Sequence, residues 1–301
     1  MRHRYECPMR WADLDMLGHV NNVVYVDYLQ EARVDMLRVH ARSPMTDPLA
    51  EGVLVASHQV TYLEPLLFDR SPVYIDVWVT QIRAASFTLA YEIYRETAAD
   101  EQGDPDGTPT RTVYLRASSV LTPYLFAEAC PRRLTDAERS GLEVYLHPED
   151  VLHPHRVEVS EARPAELGHY PVKVRFSDVD VYGHVNNVKY FEYFQEGRIA
   201  MMARMRDSAP HHDEEVHVVV AQADIVYRAP MEMRPEPYDL HTWVARVGSK
   251  SVVYDGELVD NSGPAPIVLA RCRVVLVFFD LASGRSVTPP ATVRAALEAI
   301  A

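Results

Sequence analysis

Two segments of the chain carry the same polar side chains at the same spacing. Each has two aspartates, a glycine, a histidine and two asparagines directly before a stretch of helical periodicity. A carboxylate can act as a general base towards water or as a nucleophile towards an activated acyl group, and a histidine can assist proton transfer. The segments are residues 13–23 and 178–188, which we name the first and second motif loops.

The motif loops belong to an internal repeat with an offset of 165 residues. Over positions 10–33, 14 of 24 residues are identical to their counterparts at 175–198. The identical residues are mostly polar, whereas apolar positions such as Trp11 and Phe176 differ. A recent duplication that has not diverged is the alternative, but the rest of each half differs much more. The repeat therefore indicates a polar constellation that both halves need.

A helix is predicted after each motif loop. Asn21 or Asn22 is a natural N-cap, and apolar residues then recur at three- and four-residue steps. A helix N-terminus presents unpaired N–H groups and the positive end of the dipole, which can polarise a carbonyl and stabilise an oxyanion. With a carboxylate and a histidine in the same loop, this combination suits acyl transfer. The predicted helices are 22–39 and 187–206.

Alternating apolar residues predict five strands around each helix. The predicted strands are 4–12, 53–63, 73–82, 87–94 and 112–122 in the first half, and 170–176, 216–228, 238–247, 251–260 and 266–279 in the second. A capping box predicts a short helix from Thr135 to about Leu146, and a final helix starts near Thr292. The other segments are predicted loops: 41–52, an acidic hairpin loop at 98–110, and a linker at 147–167.

This order of elements predicts the fold class. One long helix packed on one antiparallel sheet in each half is an α+β arrangement. We expect a first domain at 1–134, a helix and linker at 135–168, and a second domain at 169–301.

Composition limits the classes of function. A chain of 301 residues with 48% hydrophobic residues can build about two domains with real cores. The net charge of −13 argues against a nucleic-acid or membrane partner. No segment has the apolar length of a signal or transmembrane segment, and the three cysteines are isolated, so neither zinc nor a disulfide framework is indicated. We expect a soluble cytoplasmic protein.

The motif loops resemble those of the hotdog-fold thioesterases. The pattern Asp-x-Asp-x-x-Gly-His-Val-Asn-Asn-x-x-Tyr, followed by Glu-x-Arg, is similar to the 4-hydroxybenzoyl-CoA/acyl-CoA thioesterase family and to the acyl-ACP thioesterases. Two copies resemble the tandem, or double, hotdog form, in which a curved antiparallel sheet wraps a long helix in each domain. The resemblance implies hydrolysis of an acyl-CoA to a carboxylic acid and free CoA. It implies no metal and no cofactor, with CoA present only as part of the substrate.

The resemblance also implies roles for residues of the motif loops. One aspartate of each loop would be the base or nucleophile, an asparagine N–H would polarise the thioester carbonyl, and a histidine would support the site. These residues are Asp15, Asp180, Asn22, Asn187, His19 and His184. The acyl-ACP members carry an asparagine where this chain has Leu17 or Tyr182, so the acyl-CoA version fits better. Active sites of the family lie between two hotdogs, so we expect two pseudo-equivalent sites per chain.

Substrate-binding residues are expected on the helices and strands. Pocket walls would include Tyr25, Tyr190, His58, Tyr62 and Tyr227. The family often has Lys-Ser near the CoA entrance, which Lys250 and Ser251 match, whereas Ser86 follows an alanine.

Several of these residues have structural alternatives. Asp13 and Asp178 are expected to cap their loops rather than to take part in catalysis. His19 and His184 could hold the loop by a hydrogen bond. The pairs Glu31/Arg33 and Glu196/Arg198 are interpreted as buried or interfacial ion pairs. The run of residues 211–215 and the set Asp13, Asp15 and His19 could each be considered as metal ligands, but we predict no metal.

Other functions remain open at this point. The alternatives are a non-catalytic acyl-CoA sensor or scaffold and an acyl-ACP thioesterase. A hotdog dehydratase would use a different His/Asp or His/Glu pairing, and a hotdog transcription regulator would need an attached DNA-binding domain. Exposed sheet edges make a homo-oligomer of such chains an expectation.

Overall fold

The computed structural model divides into two compact units, Met1–His155 and Arg156–Ala301. It describes residues 1–40, 52–69, 71–97, 110–128, 130–153, 155–208 and 217–301. The loop expected at 41–52 and the acidic hairpin loop expected at 98–110 lie almost wholly outside the described residues, and so does the run 211–215.

The first unit is one long helix on a five-stranded antiparallel sheet, followed by a short helix. Its sheet has the strand order β1-β3-β4-β5-β2. The long helix α1 packs on β1 and β3, and the short helix α2 also packs on β3. The elements are β1 His3–Cys7, α1 Val24–His40, β2 Val53–Tyr62, β3 Val73–Ile82, β4 Phe87–Thr97, β5 Thr110–Leu125, a two-residue β6 Cys130–Pro131, and α2 Asp136–Glu143.

The second unit repeats this order. Its sheet has the strand order β8-β11-β10-β9-β7, again antiparallel. Its elements are β7 His169–Val172, α3 Lys189–Ser208, β8 His217–Tyr227, β9 Tyr238–Val247, β10 Ser251–Asp260, β11 Ile267–Asp280, a two-residue β12 Arg285–Ser286, and α4 Ala291–Glu298. The expected α+β class is therefore confirmed.

The core of each unit lies between its long helix and its sheet. On α1, Val26, Leu29 and Ala32 recur at three-residue steps and are fully buried. In the second unit, a Cβ added at Gly256 of β10 would lie 3.1 Å from the ring of Phe194 on α3. The helix and the strand therefore approach closely only because this strand position has no side chain.

Element boundaries differ from the sequence predictions at the start of each unit. The strand predicted at 4–12 ends at Cys7, because Pro8 has no N–H to donate to a sheet ladder. Residues 11–13 form one turn of 3-10 helix instead. The strand predicted at 170–176 likewise ends at Val172, and residues 176–178 form the same turn. Both turns lead directly into the motif loops.

The short helix α2 starts as its capping box predicts. Thr135 Oγ1 accepts from the Glu138 amide at 3.2 Å, and Glu138 Oε2 accepts from the Thr135 amide at 2.8 Å. Arg132 also donates to Glu138. Burial alone would raise the pKa of Glu138, but these hydrogen bonds outweigh it and lower the pKa below its usual value.

No helix in the described part of the chain combines the length and the apolar character needed to cross a membrane.

Candidate active site

A buried carboxylate anchors the first motif loop to its helix. Asp13 is 3% exposed, and its Oδ2 accepts from the Arg10 amide at 2.8 Å and from the Tyr28 hydroxyl on α1. Its Oδ1 accepts from Arg10 Nε at 3.0 Å. Burial and the bond to Asp13 raise the pKa of Tyr28, so its hydroxyl stays protonated and donates. Asp13 is therefore a structural residue, as expected for a loop cap.

The second aspartate of the loop is held differently. Asp15 Oδ1 accepts from the amides of Leu17 at 2.9 Å and His19 at 3.2 Å. The backbone closes the turn through Asp15 N to His19 O at 2.8 Å, and Gly18 takes the left-handed φ of 77° that this turn needs. Asp15 is partly exposed, and within the described residues no donor contacts its Oδ2. One oxygen fixes the carboxylate, and the other has no donor among the described residues.

Among the described residues, one backbone N–H group at the end of the loop has no hydrogen-bond acceptor, whereas its neighbours do. Val20 donates to Leu66 O, the Asn21 amide to Asp13 O, Val23 to Asn21 Oδ1, and Val24 to Asn21 O. Among the described residues, the amide of Asn22 donates to no acceptor. It lies two residues before α1 begins at Val24, where the helix dipole favours negative charge. An unpaired N–H at this position can donate a hydrogen bond to a developing oxyanion.

The second motif loop has the same architecture. Asp178 Oδ2 accepts from the Arg175 amide at 2.8 Å and from the Tyr193 hydroxyl at 2.7 Å. Asp180 Oδ1 accepts from the amides of Tyr182 at 2.9 Å and His184 at 3.4 Å. The turn again closes on a glycine with a left-handed φ of 83° at position 183.

The amides that follow repeat the pattern of the first loop. Val185 donates to Met231 O, the Asn186 amide to Asp178 O, Val188 to Asn186 Oδ1 and Lys189 to Asn186 O. The two loops are therefore built alike.

Tyrosines from the sheet hold the start of each helix. Tyr62 on β2 donates to Asn22 O at 2.7 Å, and Tyr227 on β8 donates to Asn187 O at 2.8 Å. Each packs edge-on against a helix tyrosine, Tyr62 against Tyr25 and Tyr227 against Tyr190, with ring centroids 5.6 and 5.0 Å apart. These bonds fix the peptide group that follows each asparagine.

The remaining predicted substrate residues lie elsewhere in their units. His58 on β2 is fully buried, and its Nδ1 lies 2.7 Å from Ser119 Oγ. Ser86 lies in the β3–β4 hairpin, where its carbonyl accepts from the Arg83 amide. Lys250 and Ser251 lie in the β9–β10 hairpin, and Lys250 Nζ donates to the carbonyl of residue 286 at 3.0 Å. The binding roles of these residues stay predictions.

Each motif loop has, in it or just before it, two large apolar residues that are mostly exposed, which we call its apolar rim. In the first loop Met16 is fully exposed and Trp11 is 75% exposed. Their counterparts Val181 and Phe176 are 93% and 85% exposed. Exposed apolar groups at matching places in two copies are typical of a surface that binds an apolar partner or ligand.

The buried ion pair expected between Glu31 and Arg33 is wrong, and an interfacial ion pair of either residue stays a prediction. Glu31 is exposed, whereas Arg33 is 6% exposed and faces the sheet. Residues two apart on a helix point in different directions, so the two side chains cannot pair. The same separation holds in the second copy, where Glu196 is exposed and Arg198 is 7% exposed.

Among the described residues, one cluster of side chains that could bind a metal ion has its ligand atoms close together. The ligand atoms of His147, Glu149 and Asp150 lie within 4.8 Å of one another. Cations already occupy two of these groups: Arg2 donates to Asp150 at 2.8 Å, and the amino group of Met1 lies 3.0 Å from His147 Nε2. The cluster is therefore explained by charge pairing within the unit.

The residues that sequence reasoning missed are the partners of the buried carboxylates. Tyr28 and Tyr193 are buried in the core, and each donates to its loop aspartate. The signal was present, because Asp13 and Tyr28 are both identical in the second copy, 165 residues later.

Comparison with known proteins identifies relatives. A Bacillus subtilis protein, uncharacterized protein YsmA, is 32% identical over 92 residues, covering 30% of this chain and 60% of that protein's length. The 12:0-ACP thioesterase from Umbellularia californica has a TM-score of 0.63 at 14% identity, covering 92% of this chain and 94% of its own.

Two further solved structures share the fold over nearly their whole length. An acyl-ACP thioesterase from Bacteroides thetaiotaomicron has a TM-score of 0.62 at 15% identity, covering 91% of this chain and 97% of its own. A Lactobacillus plantarum protein with the provisional name of oleoyl thioesterase has a TM-score of 0.69 at 12% identity, with 93% and 97% coverage. At these identities the likeness shows a shared fold.

The family model described as the thioesterase-like superfamily matches residues 9–120 and 174–297. These two segments contain both motif loops, both long helices and most of both sheets. The chain therefore belongs to the thioesterase-like superfamily.

Proposed function

We propose that this protein is an acyl-CoA thioesterase, which hydrolyses a thioester to a carboxylic acid and free CoA. The observation that carries the proposal is the unpaired Asn22 amide at a helix start, in the same loop as a carboxylate with one unoccupied oxygen. Membership of the superfamily supports the reaction class. The apolar rim of each motif loop supports an acyl substrate.

The chemistry assigned to the first loop follows from these groups. The thioester carbonyl oxygen would accept from the Asn22 amide, which stabilises the negative charge that develops on that oxygen. Asp15 Oδ2 would take a proton from water, whose oxygen attacks the carbonyl carbon, or would attack that carbon itself. Collapse of the intermediate expels the CoA thiolate, which is protonated to the free thiol. If Asp15 is the nucleophile, the acyl group remains on it as a mixed anhydride, which water then hydrolyses to the carboxylic acid. His19 would support the loop and assist proton transfer.

The second loop would act in the same way through Asp180, Asn187 and His184. The matched hydrogen bonds of the two loops support two working sites, and the family match in two segments supports two tandem hotdog domains. The proposed boundaries remain 1–134 and 169–301, joined by 135–168. The proposal needs no metal and no cofactor.

The test is thiol release from a panel of acyl-CoAs by wild type, Asp15→Asn, Asp180→Asn and the double variant. Asparagine keeps an oxygen that can accept from the two loop amides, so it removes the charge while keeping the turn. Loss of about 10²-fold or more in the double variant is expected for removal of a general base. Glu31→Gln, which neutralises an exposed carboxylate on the following helix, is the matched control and should be unchanged.

Two alternatives give different results in the same experiment. A non-catalytic acyl-CoA sensor or scaffold would bind acyl-CoA tightly and release no thiol, with or without Asp15 and Asp180. An acyl-ACP thioesterase would release acid from acyl-ACP much faster than from the acyl-CoA with the same chain. The solved acyl-ACP thioesterases that share the fold are the reason to include that substrate.

A further inference from the structure

The second unit contains a cavity away from its motif loop. Its volume is about 330 Å³, within the range of small-molecule sites. It lies between residues 163–168, the middle of α3 at Met201, the strand β9 at Thr242 and Trp243, and Ile300 after α4. None of the residues that line it belongs to 178–188.

The first unit closes the corresponding place with its own side chains. Trp78 is the repeat counterpart of Trp243, and the Arg2 guanidinium lies 3.9 Å from its ring centroid. The counterpart of Arg2 in the second unit is Leu167, which lines the cavity. Among the described residues, the side chain beside the tryptophan is therefore an arginine in the first unit and a leucine in the second.

The segment after the short helix also differs between the units. In the first unit Tyr145 is 1% exposed and is fixed against β3, because its carbonyl accepts from the Val79 amide at 2.9 Å. The residue that follows α4 at the same distance is Ile300, which is only half-buried and lines the cavity. A smaller and less buried side chain here leaves room beside β9.

The lining has the chemistry of a site for an amphipathic molecule. Leu167, Met201, Trp243 and Ile300 provide apolar walls. Thr242 also lines the cavity; it is 4% exposed, and its Oγ1 is buried without a hydrogen-bond partner in the described part of the chain. This oxygen has almost no accessible surface, so a ligand in the cavity would contact mainly the apolar walls and Arg163.

The one charged residue of the lining, an arginine, favours a ligand with a negative charge. Arg163 is exposed, and the structure gives it no ion pair with any described residue. A guanidinium binds carboxylates through charge-assisted, often bidentate, hydrogen bonds. An apolar body with a carboxylate at one end satisfies both the apolar walls and this cation.

We propose that this cavity of the second unit is a binding site for a small carboxylic acid with an apolar chain, separate from the motif loops. Arg163 would bind the carboxylate, and Met201 and Leu167 would contact the chain. The site does not depend on the proposed hydrolysis, although an acid of this class is what that reaction would release.

The test uses octanoate as the probe and the full chain labelled with ¹³C in its methionine methyl groups. Met201 is 4% exposed, and its signal can be assigned by its absence from Met201→Leu. Octanoate should shift the Met201 signal in a saturable way, and octylamine should not. Arg163→Ala should weaken octanoate binding by about tenfold, the scale of a charge-assisted contact. Arg133→Ala, at an exposed arginine of the first unit, is the matched control and should bind normally.

Three outcomes would overturn the proposal. They are the absence of a saturable shift at Met201, equal binding by Arg163→Ala and wild type, and equal binding of octanoate and octylamine. The titration is repeated in the Asp15→Asn/Asp180→Asn double variant. A Met201 response that persists there, whatever happens to thiol release, separates this site from the motif loops.

Discussion

Replacing Asp13 with alanine tests whether one buried carboxylate organises the first motif loop. The change leaves the Tyr28 hydroxyl and the Arg10 amide without their acceptor. A hydrogen bond to a charged acceptor contributes about 1.5–3 kcal/mol, and an unsatisfied buried donor adds to the loss. The side chain of Arg10 is 67% exposed, so its ion pair adds less than about 1 kcal/mol. We expect Asp13→Ala to lower the free energy of unfolding by about 3 kcal/mol.

The assay is urea unfolding followed by far-UV circular dichroism, with the first transition taken as the measure. Asp15→Asn is the matched control two residues away. Its amide oxygen can still accept from Leu17 and His19, so the change should stay within about 0.5 kcal/mol. Asp178→Ala should reproduce the large loss in the second copy. Equal stabilities for Asp13→Ala and Asp15→Asn would refute the distinction between a structural and a chemical carboxylate.

Three further predictions concern local features. Gly18→Ala should lower the free energy of unfolding by about 1–2 kcal/mol and reduce thiol release, because φ is 77° at this position. The cause is the backbone conformation, since no atom lies within 4 Å of the new Cβ. Iodoacetamide at pH 8 should label the half-buried Cys130 well before Cys7, because burial raises the pKa of the Cys7 thiol to about 12. Equal labelling rates of the two cysteines in peptide mapping would contradict this. Glu138→Gln should make the free energy of unfolding depend less on pH in the acid range. The pKa of Glu138, which is bonded to Arg132, is lowered in the folded state, so this group contributes stability that is present above its unfolded pKa of about 4.3 and is lost as the pH falls through the folded pKa. Parallel acid unfolding curves for the variant and wild type would argue against this.

The sequence was sufficient for the features that depend on local periodicity and on repetition. The long helices begin two residues later than predicted, at Val24 and Lys189, because Asn21 and Asn186 satisfy the first amides. The antiparallel strands follow the alternation of apolar residues. Repetition also identified the aspartates, since both copies keep them.

The features that sequence reasoning missed depend on contacts between distant residues. The bond from Tyr62 to the carbonyl of Asn22 joins residues 40 apart, and periodicity alone cannot give such a pairing. The direction of Arg33 was misjudged because identity in both copies suggested pairing with Glu31, whereas helix geometry turns the two side chains apart. Composition likewise gave no sign of the cavity beside Trp243.

The two buried tryptophans give each unit its own fluorescent reporter. Trp78 Nε1 donates to Asp150 O at 3.1 Å, and Trp243 Nε1 donates to Ser160 Oγ at 2.9 Å, so each indole is fixed within its own half of the chain. The third tryptophan, Trp11, is 75% exposed on the rim of the first motif loop, where the second copy has a phenylalanine. In Trp11→Phe, the emission spectrum contains one signal from each half. Replacing either remaining indole then lets the melting of the other half be followed alone.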